Sequence, residues 1–154
     1  MAVHHNDPAV IRDLLQTPAT WAVVGLSDNA DRTAHRIALW LQRELGMRLV
    51  PIHPRAAKVH GAQGYATLAD VPAGTEVKVV DCFVNSTLVG AVVDQAIAQR
   101  ERLGIEALWL QLGVIDEAAA ERAEAAGLAV VMDTCPKIEY PRLVPADGSR
   151  AVAD

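Results

Sequence analysis

Five short apolar runs, each followed by a segment with a different period, constrain the architecture of this chain. The runs occupy residues 21–24, 48–52, 77–83, 106–110 and 128–132. Between them, apolar residues recur at three- and four-residue spacing, as Ile37, Leu41 and Leu45 do, which is typical of amphipathic helices. Strands that alternate with helices form a parallel sheet with helices on both faces. The sequence therefore predicts a three-layer, doubly wound α/β fold with a mostly parallel sheet of five to six strands.

Length and composition fit a single domain over residues 1–154. The hydrophobic fraction is 51% and the aromatic fraction only 4%, so the core is built from Val, Leu, Ile and Ala, as in covered parallel sheets. Asp7 and Pro8 predict the start of a short helix, which Thr17 and Pro18 end. We expect residues 1–18 to brace the domain. Beyond residue 136 we expect an irregular tail that frays over residues 144–154.

Charge and cysteine content restrict the partners and the location. The net charge of −5 argues against nucleic acid and anionic membranes as partners, since both call for a basic surface. No apolar stretch approaches the roughly 20 residues of a transmembrane helix. Cys82 and Cys135 are far apart and no signal peptide is evident, which favours reduced thiols. We therefore expect a cytoplasmic protein without a membrane partner.

The segment after the first predicted strand combines a glycine turn with the start of a helix. Gly25, Leu26 and Ser27 follow the apolar run directly, and the helical pattern begins near Arg32. The first N–H groups of a helix are unpaired and carry partial positive charge, so such a corner binds anions. Arg32 and Arg36 are four residues apart and share a helix face. We interpret this segment as a site for a nucleotide-type phosphate.

Other candidate residues come at the ends of the remaining strands. Doubly wound sheets bind their ligands at the carboxyl ends of the strands, near the switch point in strand order. The residues at these positions are His53, Pro54 and Arg55, then Phe83, Val84, Asn85 and Ser86, then Gln111, and finally residues 133–135. Ser86 is also predicted to cap the helix that follows it. We expect these residues to line one rim with the glycine turn.

Sequence markers of several enzyme classes are missing. The dinucleotide motif G-x-G-x-x-G is absent because Gly25 is the only glycine of its turn, and His53 stands where an acidic ribose-binding residue is expected. There is no G-x-x-x-x-G-K-[ST] loop and no G-x-S-x-G elbow. The histidines lack metal-site spacing, and no activating base is evident for Cys135. We predict no catalytic residue and no metal site.

Eight motifs occur in the order that a known family shares. They are A-V-V-G-L-S (22–27), D-R-T-A-H-R (31–36), V-P-I-H-P-R (50–55), V-H-G-A-Q-G-Y-A-T-L-A-D-V-P (59–72), V-V-D-C-F (79–83), W-L-Q-L-G-V (109–114), A-E-A-A-G-L (123–128) and V-M-D-T-C-P-K-I-E (131–139). Together they resemble the single-domain coenzyme A-binding proteins of the succinyl-CoA-synthetase-like Rossmann group. The resemblance covers residues 21–143.

This resemblance implies a Rossmann-like domain that binds coenzyme A (CoA) across its strand ends. In that family the turn matching residues 25–27 and the following helix start hold the phosphates. The segment matching residues 53–55 lies near the adenosine, and those matching residues 83–86 and Gln111 line the rest of the groove. An acyl-CoA synthetase of this type also needs a phosphohistidine segment and an ATP-grasp domain, for which 154 residues are too few. The resemblance therefore implies binding, and does not itself imply catalysis.

The sequence departs from the family pattern at three places. Val84-Asn85 and Thr134 stand where the family often has arginines, and Thr33-Ala34 stand where it often has proline and serine. These changes weaken phosphate binding or change the ligand, unless Arg55 and Lys58 compensate.

Three functional hypotheses follow from the sequence. We expect a non-catalytic carrier, sensor or regulator that binds CoA or acyl-CoA and pairs with itself or with another protein. The alternatives are a small NAD(P)-dependent oxidoreductase and a protein-interaction module that has lost its ligand.

Overall fold

A computed structural model describes residues 3–144, in which five parallel strands form one sheet. The strands are β1 (Thr20–Val24), β2 (Arg48–Ile52), β3 (Val79–Cys82), β4 (Ala107–Leu110) and β5 (Ala129–Met132). Their order is β2-β1-β3-β4-β5, and all four pairings are parallel. The predicted doubly wound α/β fold is confirmed, with five strands.

Helices cover both faces of the sheet. They are α1 (Pro8–Gln16), α2 (Thr33–Leu45), α3 (Ser86–Leu103), α4 (Glu117–Ala125) and α5 (Pro136–Leu143), with a short 3₁₀ turn at Leu68–Asp70. The buried residues of α1 and α2 pack on one face, and those of α3 and α4 pack on the other. Within residues 3–144 no helix is both long and apolar enough to cross a membrane.

Alternating strand residues build a separate core on each face. Ala22, Val80 and Leu108 face α3 and α4, whereas Trp21 and Trp109 face α1 and α2. Both tryptophans are fully buried, and their ring centroids lie 5.7 Å apart. Burying one large apolar side chain contributes about 1.5–3 kcal/mol, so these two rings anchor the α1–α2 layer to the sheet.

The segment after residue 135 is a helix, so the predicted irregular tail is wrong over residues 136–143. Pro136 occupies the first turn, where its missing N–H is harmless. The hydroxyl of Thr134 donates a 2.5 Å hydrogen bond to the carboxylate of Glu139, and α5 packs against α1. Pro141 removes one helical hydrogen bond. Tertiary packing therefore sustains a helix with poor local propensity. The predicted fraying of residues 145–154 lies outside the described residues.

The third strand is shorter than the predicted span 77–83, because only residues 79–82 pair with both neighbouring strands. The prediction that Ser86 caps α3 is also wrong. Asn85 is the N-cap, and its side chain accepts a hydrogen bond from the N–H of Thr87.

One side chain of the N-terminal segment pairs with the backbone of the last residue of the edge strand β5. Asn6 donates from Nδ2 to the carbonyl oxygen of Met132 and accepts from its N–H through Oδ1, both at 2.9 Å. We expect Asn6→Ala to lower the free energy of unfolding by about 1–3 kcal/mol, since it leaves two backbone groups unpaired. Urea denaturation measures this loss, and Asn6→Asp, which keeps only the acceptor, should fall between wild type and alanine. A loss below about 0.5 kcal/mol in the alanine variant would contradict the expectation.

Candidate functional site

The switch point of the sheet lies between the neighbouring strands β1 and β3, because the helix after β1 packs on one face of the sheet and the helix after β3 packs on the other. Gly25 follows β1 and has a φ of +97°. A Cβ atom at this residue would lie 2.5 Å from the carbonyl oxygen of Phe83, the residue that follows β3. Only glycine permits this approach of the two loops. They meet where ligands of such sheets bind.

One cavity opens on the β2 side of this point. It has a volume of about 600 Å³ and lies between the loops after β1 and β2 and one face of α3. We call it the β2–α3 cavity. Its lining includes Ser27, His53, Pro54, Arg55, Val84 and Asn85.

A second cavity opens on the β4 side. It has a volume of about 550 Å³ and lies between the start of α2, the loop after β4 and the start of α5. We call it the β4–β5 cavity. Its lining includes Thr33, Gln111, Leu112, Val114, Cys135 and Ile138.

The two cavities share three residues and therefore meet at the switch point. Gly25, Arg32 and Phe83 line both of them. Gly25 and Arg32 therefore lie at the boundary between the two cavities.

The start of α2 makes this junction suitable for an anion. Thr33 and Ala34, the first two residues of the helix, line the β4–β5 cavity together with Asp31. Arg32 is the N-cap residue, and its side chain makes no capping hydrogen bond. No acidic residue lies in the first turn, and Arg32 forms no ion pair within residues 3–144. Helix N–H groups and a guanidinium without an ion pair among residues 3–144 thus lie at the same junction, where Asp31 is the acidic residue of the described lining.

Each of the two loops on the β2 side contains a local hydrogen bond between a side chain and the main chain two residues later. Ser27 Oγ accepts from the N–H of Asn29 at 3.2 Å, and His53 Nδ1 accepts from the N–H of Arg55 at 3.2 Å. The Arg55 guanidinium lies 3.7 Å from the Asp28 carboxylate, and both side chains are 65% exposed. Such exposed pairs contribute little, so Arg55 is available to a ligand.

Ten of the thirteen predicted binding residues line one or both cavities. They are Gly25, Ser27, Arg32, His53, Pro54, Arg55, Phe83, Val84, Asn85 and Gln111. The structure therefore gathers most of the predicted rim.

The other three predicted residues lie outside both cavities. Leu26 is fully buried in the core on the α2 face. Arg36 is exposed and donates to Thr33 Oγ1 at 3.4 Å. The Ser86 hydroxyl donates to the carbonyl oxygen of Gly113 and accepts from the N–H of Ile115, so it joins the loops after β3 and β4.

Sequence reasoning missed Asp81, which lies in β3 beneath the β4–β5 cavity. Its side chain is fully buried, and Oδ1 accepts a 2.5 Å hydrogen bond from Gln111 Nε2. Oδ2 has no hydrogen-bond partner within the described residues. Burial raises the pKa of Asp81 to about 8, against the opposing effect of the Gln111 hydrogen bond. The one available signal was an acidic residue inside an apolar run.

Burial shifts the pKa of one thiol that lines the β4–β5 cavity and of one imidazole outside both cavities. Burial raises the pKa of the Cys135 thiol, which keeps it protonated at neutral pH. The structure brings the His35 and His60 rings to 4.3 Å from each other, and burial lowers the pKa of His35. In the described part of the chain, no three His, Cys, Asp or Glu residues are placed to hold a metal ion.

Taken together, these features define a doubly wound parallel α/β domain whose candidate ligand groove crosses its switch point. Residues 19–141 match the CoA-binding domain family. The match covers most of the chain, so the protein belongs to this family, and the resemblance seen in its motifs is confirmed.

Two similar proteins have about the same length as this chain. Uncharacterized protein YneT of Bacillus subtilis (strain 168) is 27% identical over 132 residues, which cover 86% of this chain and 93% of YneT. A hypothetical protein from Pyrococcus horikoshii OT3 is 29% identical with a TM-score of 0.79, and the match covers 94% of this chain and 99% of that one.

A larger enzyme contains a domain of the same fold. The dinucleotide forming acetyl-coenzyme A synthetase 1 of Ca. Korarchaeum cryptofilum is 24% identical with a TM-score of 0.62. The match covers 77% of this chain but 26% of the synthetase. At this identity the similarity shows the fold alone.

Proposed function

We propose that this protein binds CoA or an acyl-CoA and acts as a carrier, sensor or regulatory module without catalysing a reaction. The nucleotide end lies in the β2–α3 cavity, the phosphates lie at the junction beside Arg32, and the pantetheine arm lies in the β4–β5 cavity. The observation that carries this proposal is the meeting of two cavities at the start of α2. Membership of the CoA-binding domain family supports CoA as the ligand.

The chemistry of CoA matches the order of the groups along this path. Its adenosine end is polar and carries an anionic 3′-phosphate, its pyrophosphate is anionic, and its arm is largely uncharged with two amides. The β2–α3 cavity offers His53 and Asn85 as polar groups, and the junction offers the cation Arg32. The walls of the β4–β5 cavity include Leu112 and Ile138, which suit an uncharged arm.

The departures from the family pattern leave Arg32 as the principal cation at the junction. Thr134, which replaces a family arginine, is buried and donates to Glu139. Val84 and Asn85 line the β2–α3 cavity without any positive charge. Of the two residues considered as compensating cations, Arg55 lines the β2–α3 cavity and Lys58 lines neither cavity. Cytoplasmic location is part of this proposal, supported by free thiols at Cys82 and Cys135.

Replacing Arg32 is the direct test of the junction. We expect Arg32→Ala to weaken CoA binding about 10- to 100-fold, because a hydrogen bond to a charged group contributes about 1.5–3 kcal/mol. Arg36→Ala is the matched control: it removes the same charge one turn away, outside both cavities, and should change the affinity by less than about 2-fold at physiological salt. Isothermal titration with CoA and acetyl-CoA measures both.

Parallel titrations with NAD⁺ and NADPH decide between the functional hypotheses. Binding of CoA alone supports the proposal. A response to NAD⁺ or NADPH with none to CoA would replace it with the oxidoreductase hypothesis. No response to any of these ligands would favour the protein-interaction module.

Equal losses of CoA affinity in the Arg32→Ala and Arg36→Ala variants would contradict the proposed position of the phosphates.

A further inference from the structure

Gln111 is the buried polar side chain of the β4–β5 cavity, and Asp81 holds it. Gln111 directly follows β4, is only 4% exposed, and lines the cavity. Its Nε2 donates to Asp81 Oδ1 at 2.5 Å across the neighbouring strands β3 and β4. Its main chain is also tied to β3, since its N–H donates to the carbonyl oxygen of Cys82 at 3.3 Å. Gln111 therefore has a defined position at the end of the strand.

This arrangement leaves two of the three hydrogen-bonding groups of the Gln111 carboxamide without a partner among residues 3–144. A carboxamide has two N–H donors and an acceptor oxygen, and Asp81 accepts from one N–H. Within residues 3–144 the Gln111 side chain makes no other hydrogen bond. The remaining N–H can donate to an amide carbonyl oxygen, and the carbonyl oxygen can accept from an amide N–H.

Asp81 is placed to orient Gln111 without touching a ligand. Its side chain is fully buried, and it pairs in register with Val23 of β1 and Trp109 of β4. Both neighbours are apolar and themselves fully buried. In such surroundings a hydrogen bond holds its partner strongly, since no water competes for it.

We propose that Gln111 hydrogen-bonds the amides of the pantetheine arm through its free N–H and carbonyl oxygen, and that Asp81 is the positioning residue that fixes this carboxamide. This inference rests on the proposed function and specifies which chemical group of the ligand the β4–β5 cavity recognises. The apolar side chains of Val114 and Ile138 contribute walls around this contact. The arm is thus selected by one oriented amide contact inside an apolar cavity.

The test compares two ligands that share the nucleotide end. CoA carries the pantetheine arm, whereas adenosine 3′,5′-bisphosphate lacks it. We expect Gln111→Leu to weaken CoA binding about 10-fold or more, since a buried contact is lost, and to leave the bisphosphate affinity within about 2-fold. Isothermal titration measures both ligands on each variant, and far-ultraviolet circular dichroism checks that each variant is folded.

Two substitutions at Asp81 separate positioning from a merely structural role. Asp81→Leu keeps an uncharged side chain of similar size but cannot hydrogen-bond, so we expect it to weaken CoA as Gln111→Leu does. Asp81→Asn keeps the shape and can still accept from Gln111, so it should restore CoA affinity to within about 3-fold of wild type. If Asp81→Leu fails to fold, the Asp81→Asn and Gln111→Leu titrations still decide the result.

Several results would overturn the inference. These are unchanged CoA affinity in Gln111→Leu, equal weakening of both ligands, or a loss in Asp81→Asn as large as that in Gln111→Leu. If wild-type protein binds neither ligand, the proposed function itself fails, and the inference fails with it. If wild type binds both ligands and Gln111→Leu behaves like wild type, only the inference fails.

Discussion

Gly25→Ala should lower the free energy of unfolding by about 3 kcal/mol or more and abolish measurable CoA binding. Two costs add at this residue. Its φ of +97° is unfavourable for any side chain, and the new Cβ would lie 2.5 Å from the carbonyl oxygen of Phe83. Phe83 lines both cavities, so its displacement disturbs the ligand path on each side of the switch point. Urea denaturation and CoA titration measure the two effects.

Gly74 provides a matched control for this substitution. Its φ is +96°, but a Cβ there would meet no atom within 4 Å. Gly74→Ala therefore carries only the backbone cost of a positive φ, about 1–2 kcal/mol, and should bind CoA as wild type does. If both variants lose the same free energy of unfolding, the close approach of the loops after β1 and β3 adds nothing to the cost of Gly25→Ala, contrary to our expectation.

The second large effect is a dependence of stability on pH that originates at Asp81. Burial raises the pKa of Asp81 to about 8 in the folded protein, whereas its ordinary value is 3.8. Between these values the folded state holds a proton that the unfolded state has released, so stability falls as pH rises from about 4 to about 8 and then levels off. Asp81→Asn cannot ionise and should lose this slope, gaining up to about 1.4 kcal/mol relative to wild type per pH unit in that window.

Urea denaturation at pH 5.5, 7 and 8.5 on both proteins measures this difference. Cys82 and Cys135 are the other titratable groups that Asp81 influences, and the raised pKa of each keeps it a thiol over this range. Asp94→Asn is the control, because Asp94 is exposed in its 3.0 Å pair with Arg122 and should leave the slope unchanged. We expect the stability of Asp81→Asn relative to wild type to rise between pH 5.5 and pH 8.5. A rise of less than about 1 kcal/mol would contradict a buried, protonated Asp81.

Local periodicity was enough to predict most of the fold. The strand at residues 48–52 was predicted with its observed bounds, and α2 and α3 end at Gly46 and Gly104, which adopt the left-handed C-cap conformation. These features depend on neighbours a few residues apart. Helix α5 was missed because its stability comes from Glu139 and from packing on α1, neither of which has a periodic signal.

The candidate site was predictable to the extent that it follows from topology. Because the carboxyl ends of parallel strands meet at one edge, residues after different strands, such as Gly25, His53 and Gln111, were expected to converge, and the structure gathers them. The rule could not predict which of two nearby residues on the same segment faces the site. Leu26 follows Gly25 in the chain, yet its side chain enters the core, and Arg36 shares a helix with Arg32 yet lies away from both cavities.

The sequence by itself determined the alternation of strands and helices, the glycine turn after β1 and the membership of the family, since short-range patterns and motifs encode all three. The tertiary structure alone decided that two cavities meet beside Arg32 and that Asp81 holds Gln111. Gln111 lies thirty positions after Asp81, and their contact exists because β3 and β4 are neighbours in the sheet. Burial then raises the pKa of Asp81, and burial depends on how the whole molecule packs.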